Sequence, residues 1–142
     1  MSIRHILYRK GNNVITVASD AFVREAAEEL VRNKIGAVVV TQDGHEVAGI
    51  LSERDVVRTI VEYGEGILDA KVHKIMTVNV ESCRMDDTAD WVLEHMTKRR
   101  IRHLPVVEDG RLAGMISIGD VVKFSLDNLN KEARAMREYI AS

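Results

Sequence analysis

Two stretches of the chain share the spacing Gly-x-x-Ser-x-x-Asp, at Gly49, Ser52 and Asp55 and again at Gly114, Ser117 and Asp120. Each leads into an amphipathic segment, so the serine falls at a helix N-cap with the carboxylate three residues on, one methylene short of the usual capping box. That placement serves two chemistries. In one, the pair only satisfies free amides of the first helical turn. In the other, the carboxylate accepts from the 2′- and 3′-hydroxyls of a ribose while nearby amides favour phosphate. A single copy of the motif does not choose between them.

The remaining reactive side chains form no catalytic pattern. The five histidines, at 5, 45, 73, 95 and 103, include no i,i+4 pair and no His-Glu-x-x-His, and Cys83 has no companion of nucleophile type. Carboxylate pairs at Glu28-Glu29 and Asp86-Asp87 belong to a helix surface and a helix start. This argues against an enzyme and against a metal centre. Lys98-Arg99-Arg100-Ile101-Arg102-His103 is the one dense basic run, but it lacks interleaved aromatics in a chain with two Phe, three Tyr and one Trp. Nucleic acid is therefore a poor partner for it; the phosphate of a small nucleotide suits Arg102 and His103 better.

The elements that position these residues come in duplicate. A shift of 66 residues pairs Asn13-Val14 with Asn79-Val80, Asp20 with Asp86, Glu28 with Glu94, Ile35 with Ile101 and Asp43-Gly44 with Asp109-Gly110. After His45, one residue extra in the first copy, a shift of 65 pairs Ala48-Gly49 with Ala113-Gly114 and Asp55-Val56-Val57 with Asp120-Val121-Val122. Each copy reads as β-α-β-β-α. A short β-rich segment, Val14-Ile15-Thr16-Val17 in the first, ends at the candidate cap Ser19-Asp20. A helix follows, with Val23, Ala26, Ala27, Leu30 and Val31 on one face, matched by Ala89, Val92, Leu93 and Met96. A buried hairpin around Asp-Gly then leads to the Ser-x-x-Asp helix. The repeats divide the chain at 1–66 and 67–142, the connector over 63–77 carrying a short amphipathic piece at 72–76. Neither half buries enough apolar surface to stand comfortably alone, so the two should pair.

At 142 residues, 46% hydrophobic and 30% charged, the composition is that of one compact globular body, and a net charge of -2 draws it to neither nucleic acid nor membrane. A single cysteine excludes an intrachain disulfide. With no apolar core of signal-peptide length in residues 1–10 and no run of 18 apolar residues, a cytoplasmic location is expected.

The sequence resembles a tandem pair of CBS domains, the regulatory repeat of cystathionine β-synthase. The resemblance rests on Val72-His73-Lys74-Ile75-Met76-Thr77 between the repeats, on Arg102-His103-Leu104-Pro105-Val106-Val107, and on Gly-x-x-Ser-x-x-Asp in both copies. It implies an α/β (α+β) fold of two β-α-β-β-α repeats about a pseudo-twofold axis, sheets inward and helices outward. It also implies a non-catalytic sensor of energy or redox state that binds an adenine nucleotide, AMP, ATP or NAD, between the repeats, and a homodimer acting on some regulated protein. The alternative is an interaction or oligomerisation scaffold with vestigial pockets.

By the same resemblance each pocket is built crosswise. One joins Ser117, Gly119 and Asp120 to Thr16, Ala21, Ile35, Gly36 and Ala37; the other joins Ser52, Arg54 and Asp55 to Ser82, Ile101, Arg102, His103 and Pro105. Val39 stands where the second repeat has Pro105, and Glu53-Arg54 where it has Ile118-Gly119. Arg54 either clamps a phosphate or obstructs its site, so the pocket at Asp120 is expected to be the more open. Leu126, Leu129, Ala133, Met136 and Ile140, in alternating steps of three and four, form a seam for a second chain or for the body itself.

Overall fold

The computed structural model describes residues 1–141. Its first unit contains β1 (Thr16–Ala18), α2 (Val23–Asn33), β2 (Ala37–Thr41), β3 (Gly49–Ser52) and α3 (Glu53–Tyr63), preceded by a helix α1 (Ile3–Lys10). β1 pairs in parallel with β2, and β2 antiparallel with β3. Two 3-10 turns, Glu65–Asp69 and Val72–Lys74, make the connector. The second unit has α4 (Ala89–Arg99), β4 (His103–Glu108), β5 (Arg111–Ser117) and α5 (Ile118–Ala141). Its opening strand is reduced to a parallel bridge between Cys83 and Val106, which leaves a two-stranded sheet.

Helix α2 begins at Val23 after an N-cap at Phe22, not at Ser19-Asp20. The Val23 amide donates to the Ala70 carbonyl at 2.9 Å and the Lys71 ammonium sits 4.0 Å from the Phe22 ring centroid. A tertiary carbonyl thus satisfies a donor that a local side chain was expected to satisfy. In α4, Thr88 does cap by side chain, accepting from the Trp91 amide at 3.0 Å. The hairpins differ as the extra residue foretells. Asp109 and Gly110 both have positive φ in a tight turn, whereas residues 42–48 form a longer loop held by Asp43, whose carboxylate accepts the His45 and Glu46 amides.

Helix α1 was not legible as an element, and it changes the packing. Ile3, Ile6 and Leu7 are buried with Met96, Leu104, Ile116 and Phe124 in the core of the second unit. Conversely Val72, with Ile75 and Met76 packed beside it, belongs to the core of the first. The two segments share one pattern, Ile3-x-x-Ile6-Leu7 and Val72-x-x-Ile75-Met76. Each lead-in crosses to the opposite hairpin: a Cβ on Gly114 would stand 2.8 Å from Leu7 Cδ1, and one on Gly49 would stand 2.5 Å from Met76 Sδ. The packing units are therefore not the two halves of the chain. Only the start of α5 is buried, at Val121 and Phe124; residues 129–141 are exposed, so the helix does not fold back on the body.

Candidate functional site

Both Ser-x-x-Asp turns are closed capping boxes with the same internal geometry. Asp55 Oδ2 accepts from the Ser52 amide at 2.9 Å and Ser52 Oγ from the Asp55 amide at 3.1 Å; Ser117 and Asp120 repeat both distances. The surroundings of the two turns differ. At the first, β2, α3, the lead-in and the end of α4 enclose a cavity of about 700 Å3. Ser52, Arg54, Asp55 and Arg58 line it from the start of α3, and Gly36 and Ala37 from the start of β2. From the second unit come Arg100, Ile101, Arg102 and His103, with Thr77, Asn79, Val80 and Glu81 along the lead-in.

The cavity wall carries both signs, with Glu53, Asp55 and Glu81 set against Arg54, Arg58, Arg100 and Arg102. Asp55 Oδ1 lies 3.3 Å from Arg58, and Glu81 meets His95 at 3.0 Å and Arg99 at 3.6 Å. Arg54, Arg100 and Arg102 make no ion pair among the described residues. Against these three guanidiniums stands one carboxylate outside any ion pair, Glu53, and the remaining positive excess suits a phosphate-bearing ligand. His103 lies against Gly36, where a Cβ would come within 2.6 Å of its Cε1. Burial and the neighbouring Arg102 hold its pKa below the usual histidine value, which favours the neutral imidazole.

At the second turn the carboxylate meets a lysine. Lys10 at the end of α1 donates to Asp120 Oδ2 at 2.5 Å and to the Met115 carbonyl at 2.7 Å. Burial pushes the Asp120 carboxyl up, but the hydrogen bonds from Lys10 and Ser117 outweigh it and keep the group ionised below the ordinary range. Arg54 lines its cavity without closing it, and the turn at Asp120, whose carboxylate is the more exposed of the two, carries a lysine.

The residues expected around each turn are only partly gathered there. Ser52, Arg54, Asp55, Ile101, Arg102 and His103 do meet, and Gly36 and Ala37 join them instead of facing Asp120. Ser82 is exposed and Pro105 is buried within β4, so neither lines the cavity. Thr16 pairs with Val39 in the sheet, Ala21 packs on the first core, and Ile35 lines a smaller cavity of about 450 Å3 beside α2. Gly119 is exposed next to Ser117. The additions are Ile50, Glu53, Val57 and Arg58 from the first unit, Thr77, Asn79, Val80 and Glu81 from the lead-in, and Arg100. Arg58 was readable as an i+3 partner of Asp55, and Asn79-Val80 already stood out in the internal alignment. Among the described residues no cluster of side chains is arranged to hold a metal ion, and no helix is long and apolar enough to cross a membrane.

Comparison with known proteins places the fold in a family. The family model of the CBS domain matches twice, over residues 3–62 and 72–127. A mitochondrial CBS domain-containing protein of Arabidopsis thaliana, CBSX3, is 31% identical over 147 residues, covering 98% of this chain and 71% of that protein. Among solved structures, a CBS-domain containing protein of Agrobacterium tumefaciens is 48% identical with a TM-score of 0.83, covering 86% of this chain and 91% of its own. A CBS domain protein of Pyrobaculum aerophilum, solved in complex with AMP, is 27% identical with a TM-score of 0.75 over 84% of this chain and 89% of that one. The CBS domain pair of protein MJ0100, solved with 5′-methylthioadenosine and S-adenosyl-L-methionine, is 25% identical with a TM-score of 0.78 over 87% and 98%. The mixed α+β architecture and both repeats are accounted for by these matches, and the chain belongs to the CBS domain family as a tandem pair.

Proposed function

We propose that this protein is a non-catalytic regulatory module that binds an adenosine-containing nucleotide in the cavity at Ser52 and Asp55. The observation that carries the reading is the joining, in one cavity of about 700 Å3, of a carboxylate at a helix start with three arginines outside any ion pair, which outnumber the one such carboxylate, Glu53. The volume falls in the range of small-molecule sites. Asp55 takes the ribose hydroxyls, Ile50, Val57, Val80 and Ile101 offer an apolar slot for adenine, and Arg54, Arg100 and Arg102 face the phosphates. The AMP and S-adenosylmethionine complexes of related pairs support an adenosine ligand in general. ATP and NAD share the same moiety and belong in the same test.

Differential scanning with AMP, ATP, NAD, NADH and S-adenosylmethionine decides the matter. A ligand present at 100 times its dissociation constant should add about 2.7 kcal/mol of stability. A melting temperature unmoved by all five leaves the scaffold reading in its place. The setting we favour is cytoplasmic, where the lone Cys83 stays reduced; it is buried, and burial with Asp87 and Glu108 nearby pushes its thiol up to about 12, which makes it unreactive.

The scaffold reading keeps one observation of its own. Leu126, Leu129, Met136 and Ile140 are exposed on the projecting part of α5, and a second copy of the chain is the occupant that their three-and-four spacing suits. Ending the chain after Ser125 should convert a dimer to a monomer in sedimentation. A dimer that survives truncation clears α5 of that role.

A further inference from the structure

His103 stands where the first repeat has Ala37, and the exchange puts an imidazole between the two units. The backbones on either side match: the Glu53 amide donates to the Gly36 carbonyl at 2.9 Å, and the Ile118 amide to the Arg102 carbonyl at 2.8 Å. Only the side chains differ. The ring reaches from the start of β4 to Gly36, where a Cβ would stand 2.6 Å from Cε1 and 2.9 Å from Nε2, so glycine at 36 leaves the space that the imidazole fills. It forms part of the wall of the cavity at Asp55. Among the described residues no protein group hydrogen-bonds to either ring nitrogen, and neither nitrogen is sealed from solvent.

Four charged groups face the ring. Arg102, its neighbour in the chain, and Lys10 at the end of α1 oppose a proton there, whereas Glu53 at the start of α3 and Asp120 at the start of α5 favour one. Burial is the largest influence, and with Arg102 it keeps the unliganded ring below the ordinary histidine pKa of about 6.5. A phosphate brought beside the ring reverses that balance. Its charge adds to that of Glu53, which is in no ion pair among the described residues, and the imidazolium so favoured presents a donor from each nitrogen. Because the ring then holds its proton more tightly with ligand than without, affinity rises as pH falls between the two pKa values, by at most about tenfold per pH unit for one proton. Above both values the ring is neutral in either state, and pH has no hold on binding through it.

We propose that His103 is a proton-linked part of the cavity: its imidazole takes up a proton as the phosphates of the ligand enter, so that nucleotide occupancy rises on acidification. The ligand class rests on the function proposed above. NAD is the cleanest probe, because its bridged phosphates hold no proton to exchange in this range, whereas a terminal phosphate such as that of AMP itself titrates at about 6. Calorimetric titrations with NAD, AMP and adenosine, from about pH 8 down to about pH 5 and in buffers of different ionisation enthalpy, are run on the wild type, His103→Gln and His95→Gln. His95 is the other imidazole beside the wall, paired with Glu81. With NAD the wild type and His95→Gln should take up part of a proton and bind several-fold more tightly at the acid end, while His103→Gln shows neither. With AMP the ligand's own proton is common to all three proteins, so the difference between wild type and His103→Gln should show the same uptake; adenosine should bind without it. The Cε1 ring proton of His103, followed by NMR and assigned by its loss in His103→Gln, should titrate at higher pH once nucleotide saturates the chain. Equal uptake by wild type and His103→Gln, a pH slope that vanishes with His95 instead, or a ring titration unmoved by ligand overturns the inference and leaves the Asp55 cavity standing. If none of the three probes binds at any pH, the reading of that cavity falls, and this inference with it.

Discussion

With Asp55 replaced by alanine, nucleotide affinity should fall about tenfold to a hundredfold. A hydrogen bond to a charged acceptor contributes roughly 1.5–3 kcal/mol, and each 1.4 kcal/mol is a factor of about ten in the dissociation constant. Asp55 is well placed to matter. Its carboxylate is buried, closes the cap with Ser52, and lies on the wall of the cavity beside Arg54 and Arg58. The same substitution also removes the cap, which costs about 1 kcal/mol of stability whether or not a ligand binds. Titration must therefore be paired with the melting temperature of the unliganded variant. A lowered melting temperature with unchanged affinity would mean that Asp55 only caps its helix. Asp120→Ala is the matched comparison: it loses an equivalent cap and the Lys10 pair, and it should leave binding in the Asp55 cavity at the wild-type level.

Gly49→Ala should destabilise the protein by about 1–3 kcal/mol, the usual range for forcing extra volume into a packed site. The added Cβ would sit 2.5 Å from Met76 Sδ, 2.8 Å from its Cγ and 2.9 Å from the Thr77 carbonyl oxygen. The methionine tail is able to swing aside. The carbonyl is not, because Thr77 and Ile50 exchange backbone hydrogen bonds at 2.9 and 3.0 Å. Relief requires the second lead-in to move, and Thr77, Asn79 and Val80 of that segment line the cavity. Nucleotide affinity should fall together with stability. Gly66→Ala is the control, since a Cβ there meets nothing within 4 Å and the backbone is not in the left-handed region. Denaturant melts that place both variants at the same midpoint would remove the close approach as the reason for glycine at 49.

The sequence made the repeats readable because local patterns and global fold agree along most of the chain. Apolar spacing located α2 and α4, the Asp-Gly pairs located both hairpins, and Ser-x-x-Asp located the starts of α3 and α5. What stayed hidden depends on contacts between distant residues. Residues 3–7 carry only three core positions, too few for a period to declare itself, and their partners lie some hundred residues on at Leu104, Ile116 and Phe124. The start of α2 was misplaced because Ala70, not a neighbouring side chain, satisfies its first amide. Judging the two sites from their own lips left Arg54 as either a clamp or an obstruction and pointed to the Asp120 pocket as the more open. Local inspection had no means of seeing that Lys10 reaches Asp120 across 110 positions.

The exchange of lead-ins also bears on how the chain is made. Helix α1 leaves the ribosome well before α5, yet the surface that covers Ile3, Ile6 and Leu7 is complete only when α5 has been synthesised as far as Phe124. At eight residues α1 is too short to persist as an isolated helix in water. The first unit meets the same delay on a smaller scale, because Val72, Ile75 and Met76 must emerge before its core closes. Vectorial synthesis therefore cannot finish the second unit from its own residues: α1 appears ahead of both repeats and docks only after α5 is made, and the long loop it closes delays the slow step of folding until then.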